Sequence, residues 1–155
     1  MQIQTEADLE KHIRRLIKYH ITKKNKDIYA LKNKKAVDII ICRNGSKPAL
    51  FFIEVKYYRK AHYRLGFGSR KGGGFQPEIV HEEPKYFEKN LRWIMASEEH
   101  PKRGILFLDS KTIRKYISGG AVAEKYNNIQ KCIFNEVAGF KKEQLVVELK
   151  KWLSS

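Results

Sequence analysis

The chain has 155 residues, which is enough for one domain, residues 1–155, with a single hydrophobic core. Lys and Arg number 32 against 17 Asp and Glu, for a formal net charge of +15 at pH 7; this excess favours a nucleic-acid partner, although a membrane surface or an acidic partner would also suit it. The sequence shows no signal-peptide pattern, no apolar run of membrane-spanning length and no metal-ligand spacing at its two cysteines, so we expect a cytoplasmic protein with no membrane partner.

The first predicted element is an amphipathic helix close to the N-terminus. Thr5 is a suitable N-cap residue, and an apolar stripe follows it at helical spacing. The members of this stripe are Leu9, Ile13, Leu16, Ile17 and His20. Glu6 lies on the edge of the stripe and Glu10 lies one residue off it. Both acids are also placed to complement the positive end of the helix dipole.

A lysine-rich segment surrounds the first predicted strand, residues 28–31. The lysines of this segment are Lys23, Lys24, Lys26, Lys32, Lys34 and Lys35. Lysines in loops that flank a strand can contact the phosphates of a nucleic acid. We count Lys34 and Lys35 among the candidate DNA-binding residues.

Two runs of β-branched and aromatic residues, 36–42 and 50–57, predict a pair of adjacent strands. The dipeptide Asn44-Gly45 lies between them and is a strong hairpin signal. The two strands should therefore pair antiparallel. We take the centre of the turn to lie near Ser46, the midpoint of residues 38 and 54.

Both predicted strands carry charges inside apolar runs. With the turn centred near Ser46, Asp38 lies opposite Glu54, with the two Cβ atoms roughly 5 Å apart. Lys56 is two residues beyond Glu54 and projects from the same face. Facing carboxylates repel each other and lose hydration, so a hard cation such as Mg²⁺ or Mn²⁺ is expected between them. The alternative is a structural ion pair in which Lys56 neutralises one carboxylate while the other points to solvent.

An Asp, a hairpin and then Glu-x-Lys on the next strand resemble the core of the PD-(D/E)XK nuclease superfamily, which includes many restriction endonucleases, junction resolvases and repair nucleases. Here the motif stands as Val37-Asp38 followed by Glu54-Val55-Lys56, with Val37 in place of the proline. The family places a helix before the hairpin and a helix and a strand after it, which covers roughly residues 5 to 110 of this chain.

The resemblance implies a set of site residues. Asp38, Glu54 and the Val55 carbonyl would hold one Mg²⁺ or Mn²⁺ ion, and Lys56 would orient or deprotonate the attacking water, more easily if burial lowers its pKa. The family often adds a glutamate from the first helix, and Glu6 matches that position better than Glu10. The helix-dipole role of these two acids remains the alternative.

Residues 57–76 follow the second strand of the hairpin and interleave aromatic residues with Lys and Arg on a glycine-rich backbone. This composition is typical of a segment that stacks on bases and contacts phosphates. An ordinary surface loop whose aromatic residues cover the core is the alternative. The candidate DNA-binding residues in this segment are Arg59, Lys60, Arg64, Arg70 and Lys71.

Downstream, the pattern predicts a helix that starts at Glu83-Pro84 and ends before His100. Its apolar face is formed by Phe87, Leu91, Ile94 and Met95. The apolar run 104–109 predicts a central strand. Ser110 should cap a short helix that extends to residues 119–120. Two more helices are predicted from apolar stripes: Val122, Tyr126, Ile129 and Ile133, then Leu145, Leu149, Trp152 and Leu153.

Taken together, these patterns predict an α/β domain with a restriction-endonuclease-like core, in which helices flank a mixed central sheet of about four to five strands. The expected activity is Mg²⁺-dependent hydrolysis of DNA phosphodiester bonds by a restriction-type or junction-resolving endonuclease. Such an enzyme would be a homodimer, because two cuts need two sites. A non-catalytic basic nucleic-acid-binding protein, with a structural carboxylate–lysine cluster, is the alternative.

Overall fold

The computed structural model describes residues 3–31, 37–60, 65–69, 89–118 and 126–155. Its helices are α1 (Glu6–Ile17), α2 (Ser110–Arg114), α3 (Ile133–Glu136) and α4 (Lys142–Ser154), with a π-helical turn at Lys18–Thr22 and a 3₁₀ turn at Pro101–Arg103. Its strands are β1 (Ile28–Leu31), β2 (Ile39–Arg43), β3 (Ala49–Tyr58), β4 (Leu65–Ser69), β5 (Leu91–Ser97), β6 (Leu106–Leu108), β7 (Ile117–Ser118) and β8 (Tyr126–Ile129).

Helix α1 begins and buries its apolar face as the sequence predicts. The Thr5 hydroxyl accepts the Asp8 N–H at 3.1 Å, and the Asp8 carboxylate accepts the Thr5 N–H at 3.1 Å, which forms a capping box. Four of the five residues of the predicted stripe are buried on α1, and His20 falls in the π-helical turn. Helix α1 therefore packs on the core through the face that the 3.6-residue period of its apolar stripe predicts.

Within the described residues, five strands form a mixed sheet in the order β1-β2-β3-β5-β6. The α/β class and the four to five strands of the prediction are confirmed. Strands β1, β2 and β3 form the predicted antiparallel meander. Ile39 pairs with Ile53 and Arg43 with Ala49, which centres the turn on Ser46 as expected. Strand β2 nevertheless begins later than predicted, so Asp38 lies just before the strand.

The predicted helix over residues 91–95 is wrong, because this segment is strand β5. It pairs parallel with β3 in the register Phe52↔Leu91 to Tyr58↔Ser97. Its side chains are buried on both faces of the sheet, with Trp93, Ile94 and Met95 all at 0% exposure. A strand covered on both faces reads as a continuous apolar run, and such a run also contains residues at helical spacing. Residues 83–87 of the predicted helix lie outside the described part of the chain.

Three other downstream predictions also need correction. Strand β6 is at the edge of the sheet rather than central. Asp109, not Ser110, caps α2, through a 2.7 Å hydrogen bond to the Thr112 N–H, and the helix ends at Arg114. Residues 126–129 form β8, which pairs with β4 and β7 in a second, three-stranded sheet of the described chain. Val122 and residues 119–120 lie outside the described ranges.

The central sheet separates two clusters of buried side chains. The first lies under α1 and α4, where Leu145, Leu149, Trp152 and Leu153 are buried as predicted. The second lies under α2, β8 and α3 on the opposite face of the sheet. Along β3 the odd-numbered residues from 51 to 55 face the first cluster, while Tyr58 belongs to the second. Glu54 and Lys56 therefore project on the side of the second cluster.

No helix in the described ranges combines the length and the apolar composition that a membrane crossing requires.

Two glycines of the described residues have positive φ, and they differ in how much room an added Cβ would have. Gly104 has φ 81° and ψ −157°, and a Cβ added there would lie 2.6 Å from the Phe140 carbonyl oxygen. Gly45, in the hairpin turn, has φ 93°, but its added Cβ would meet nothing nearer than Asp27 Oδ2 at 3.7 Å. Replacing Gly104 by Ala should therefore lower the free energy of unfolding by about 3 kcal/mol or more, from backbone strain and the clash together.

Gly45→Ala is the control, and it should cost only about 1–2 kcal/mol because the strain is there without the clash. Urea unfolding of both variants measures the difference. Equal losses would contradict the role given to the close approach between Gly104 and Phe140.

Candidate active site

The site begins where β3 extends past the end of β2. The last residue of β3 that pairs with β2 is Ile53, opposite Ile39, so the next N–H groups on that edge need other acceptors. Asp38 Oδ2 accepts the Val55 N–H at 2.6 Å, and Glu6 Oε2 accepts the Tyr57 N–H at 3.3 Å. Two predicted metal ligands from distant elements thus meet on one strand edge.

The Val55 carbonyl lies on the same edge. In a β-strand the N–H and C=O of one residue point to the same side, which is how paired residues exchange two hydrogen bonds. Because the Val55 N–H points to Asp38, the Val55 carbonyl faces the Asp38 side as well. Asp38, Glu6 and the Val55 carbonyl therefore lie along one edge of β3, whereas the Glu54 side chain projects from its adjacent face.

Glu54 and Lys56 form a contact on the adjacent face of β3. Lys56 Nζ lies 2.7 Å from Glu54 Oε1, and their side chains are 13% and 4% exposed. The shared face predicted from their two-residue spacing is confirmed. This ion pair is also what the structural alternative expects. That alternative directs the other carboxylate to solvent; here Asp38 is half-buried, and its Oδ2 accepts the Val55 N–H.

Burial shifts the pKa values of the carboxyl groups upward. The pKa of Glu54 is raised to about 7, first by burial and then by the negative charges of Asp38 and Glu6, against the opposing effect of Lys56. Burial is also the main cause that raises the pKa of Asp38 and that of Glu6. Each carboxylate would be stabilised by additional positive charge.

Lys56 shifts in the direction that keeps it charged. Burial alone would lower the pKa of its ammonium group, but the nearby Glu54, Glu6 and Asp38 together raise it above the usual value. A lowered pKa, the condition under which Lys56 would deprotonate the water more easily, is therefore not met in this arrangement. Lys56 is a cation near neutral pH, and it can donate hydrogen bonds but cannot accept a proton.

Arg14, which was not among the predicted site residues, completes the edge of the site from α1. Arg14 Nε lies 2.6 Å from Glu10 Oε1, and its Nη2 donates a hydrogen bond to the Asp38 carbonyl oxygen. The i,i+4 spacing of Glu10 and Arg14 is the signal that could have indicated this pair. Glu10 is thus engaged with Arg14, whereas Glu6 reaches the backbone of β3.

The donor set fits a hard divalent cation in chemistry and in charge. Glu6, Asp38 and Glu54 supply carboxylate oxygens, and Val55 a carbonyl oxygen, which are the ligands that Mg²⁺ and Mn²⁺ prefer. The negative charges of these three acids all act on a single ammonium, that of Lys56. Within the described ranges, however, no group of three or more His, Cys, Asp or Glu side chains is arranged to hold a metal ion as it stands.

The candidate DNA-binding residues are only partly described. Arg59 and Lys60 follow β3 directly and are exposed, and the Lys60 N–H donates to Glu98 Oε2 at 3.0 Å. They therefore lie at the end of the strand that carries Glu54 and Lys56. The remaining candidates lie outside the described residues: Lys34, Lys35, Arg64, Arg70 and Lys71.

No protein-family model matches this chain, and no curated protein matches it. The site therefore has to be interpreted from its own geometry.

The raised pKa of Glu54 predicts how the stability of the metal-free protein depends on pH. Between about pH 4.5 and 7 the folded state holds a proton that the unfolded state has lost, so the free energy of unfolding should fall as the pH rises through this window. The slope is at most about 1.4 kcal/mol per pH unit for one group. Asp38 and Glu6 act in the same direction, while Lys56 stays charged throughout.

The Glu54→Gln variant cannot titrate at this position, so its free energy of unfolding should decline less over the same window. Urea unfolding in EDTA at pH 5, 6, 7 and 8 measures both proteins, with the exposed Glu143→Gln as the control. Parallel pH profiles for the wild type and Glu54→Gln would contradict the raised pKa.

Proposed function

We propose that this chain is a metal-dependent endonuclease that hydrolyses DNA phosphodiester bonds, with a restriction-endonuclease-like core of the PD-(D/E)XK type. One observation carries the proposal: Glu6 from α1 and Asp38 from just before β2 bind one edge of β3, beside the Glu54–Lys56 pair on its adjacent face. Acids from three separate parts of the chain around one lysine are more typical of a site that cleaves a phosphodiester than of a simple surface ion pair.

Asp38, Glu54 and the Val55 carbonyl, aided by Glu6, would hold the ion. When bound, Mg²⁺ or Mn²⁺ polarises the scissile phosphate and lowers the pKa of a coordinated water. The Lys56 ammonium donates hydrogen bonds to the attacking water and to the phosphate oxygens as negative charge develops on them. Arg14 restricts the position of Asp38 through the Asp38 carbonyl. Ionisation of Glu54 prepares the site for a cation, because the carboxylate binds the ion only after it loses its proton.

DNA binding is supported by the charge of the chain and by its distribution. The formal charge of +15 provides strong attraction to a polyanion. Arg59 and Lys60 are exposed at the end of the catalytic strand, where the phosphates beside a scissile bond would lie. We further propose that the enzyme is cytoplasmic and acts as a homodimer, because cutting both strands needs two copies of the site.

The test is incubation of the wild-type protein with a supercoiled plasmid, a linear duplex and a four-way junction, each with Mg²⁺ or EDTA. The proposal expects cleavage of at least one substrate in Mg²⁺ and none in EDTA. Preference for the junction over the duplex separates a resolving enzyme from a restriction-type enzyme. Absence of Mg²⁺-dependent cleavage on all three would reject the proposed activity.

The Glu54–Lys56 contact favours a second candidate function, a non-catalytic basic nucleic-acid-binding protein. In that case the 2.7 Å ion pair is structural, and Asp38 and Glu6 serve to satisfy the N–H groups of β3. Binding without catalysis needs no divalent ion. DNA binding of equal strength in Mg²⁺ and EDTA, without any cleavage, would support this candidate.

A further inference from the structure

An exposed aromatic ring lies beside two lysine side chains just after α1. Tyr19, in the π-helical turn, is 50% exposed. Its ring centroid lies 4.7 Å from Lys23 Nζ and 5.7 Å from Lys18 Nζ. In the described part of the chain, the other large exposed apolar side chains are Leu50 and Val147, and neither is aromatic. Both ammonium groups lie over the ring, so this exposed site combines an aromatic surface with two cations.

A basic groove lies along α1, and its lining includes Lys18, which contacts the Tyr19 ring, and Arg14, which binds the Asp38 carbonyl. Its volume is about 280 Å³, and four of its six lining residues are basic. The six lining residues are Ala7, Glu10, Lys11, Arg14, Arg15 and Lys18. These residues lie on the face of α1 that the core leaves uncovered, because the buried residues of the helix occupy the opposite side.

The groove has a defined direction. Arg14 at its margin binds Glu10 and the Asp38 carbonyl, so this part of the groove touches the site. From Glu6 to Tyr19 the helical path is about 20 Å, given a rise of roughly 1.5 Å per residue. That length spans several successive phosphates of one DNA strand.

We propose that the α1 groove and Tyr19 bind a single-stranded segment of the DNA substrate, with its phosphates along Lys11, Arg15 and Lys18 and one base stacked on Tyr19. This inference rests on the proposed function and narrows its substrate to DNA with an unpaired strand next to the cleavage site. Stacking on a side chain needs a free base face, which a paired base inside a duplex does not offer. Lys18 and Lys23, whose ammonium groups lie over the ring here, would exchange that contact for the phosphates on either side of the stacked base.

A lipid surface suits this region less well. A helix that lies on a membrane buries an exposed apolar face in the lipid. The apolar face of α1 is instead occupied by the protein core, with Leu9, Ile13 and Ile17 all at 0% exposure. Tyr19 alone would be available for insertion.

The experiment measures binding in EDTA by fluorescence anisotropy, so that cleavage plays no part. The probes are a labelled single-stranded DNA, the blunt duplex of the same sequence and a single-stranded RNA of that sequence. Tyr19→Leu should weaken binding of the single-stranded DNA by about tenfold, the effect of one lost base stack, and should change duplex binding by less than about twofold. Tyr19→Phe keeps the ring and should bind like the wild type.

Val147→Ala is the control, since Val147 is an exposed apolar residue on α4, away from the groove. Wild-type affinity of Tyr19→Leu for single-stranded DNA would overturn the proposal. The proposal would also be overturned if Tyr19→Leu lost as much affinity for the duplex as for the single-stranded DNA. A greater loss of affinity for the RNA than for the single-stranded DNA would overturn it too.

Failure of the proposed nuclease activity is a separate result. It would appear as absence of cleavage in Mg²⁺ by a wild-type protein that still binds single-stranded DNA through Tyr19.

Discussion

Replacing Asp38 by Asn or Glu54 by Gln should reduce DNA cleavage by roughly three orders of magnitude and leave DNA binding intact or tighter. Each substitution removes one negative charge from the ligand set while keeping the size of the side chain. Asn is preferred to Ala at position 38, because its amide oxygen can still accept the Val55 N–H and preserve the edge of β3. Binding should not weaken, because the repulsion between the carboxylates and the DNA phosphates decreases.

Single-turnover cleavage in Mg²⁺ and anisotropy in EDTA measure the two quantities separately. Glu143→Gln is the matched control, since it removes an exposed carboxylate in the first turn of α4. Wild-type cleavage by Asp38→Asn or Glu54→Gln would remove that residue from the metal site. Cleavage that persists in EDTA would reject the metal site altogether.

The Lys56→Gln variant should lower the single-turnover rate by about two orders of magnitude with little loss of Mg²⁺ affinity. The ammonium is not a metal ligand, and its hydrogen bonds strengthen as charge develops on the phosphate, so the loss falls on the transition state. Its pKa is raised, so the wild-type protein carries this charge across the neutral range. Rates at saturating DNA, together with Mg²⁺-induced shifts in melting temperature, measure the two effects.

Removing Lys56 also leaves the buried Glu54 without the contact at 2.7 Å, so part of the effect could come from a changed site. Lys56→Arg provides the comparison, because it keeps the charge and should recover part of the rate. Lys150→Gln, an exposed lysine of α4, controls for the loss of overall charge. An unchanged saturated rate with weaker DNA affinity would exclude Lys56 from catalysis.

The Glu54–Lys56 pair has a physical role before any ion binds. Burying a carboxylate alone is costly, and Lys56 offsets part of that cost in the metal-free fold. Burial outweighs this offset, because the pKa of Glu54 is still raised to about 7. The cation that the proposed function requires would stabilise the ionised form of Glu54.

The sequence by itself determined the local parts of this fold. Thr5 and Asp8 define the start of α1, and the stripe that follows defines its buried face. Asn44 and Gly45 place the hairpin turn, which in turn fixes the register of β2 on β3. The shared face of Glu54 and Lys56 follows from the two-residue period of a strand. Each of these features depends on residues close together in the chain.

The tertiary structure alone decided the features that depend on distant partners. Strand β5 forms because it pairs parallel with β3 and is covered by a buried cluster on each face of the sheet. No pattern within residues 91–97 indicates either partner. Asp38 turns to the Val55 N–H because β2 stops short of β3 and leaves that donor without a strand partner. Contacts such as these join residues 17 or more positions apart, and their geometry is set by how the layers pack rather than by local spacing.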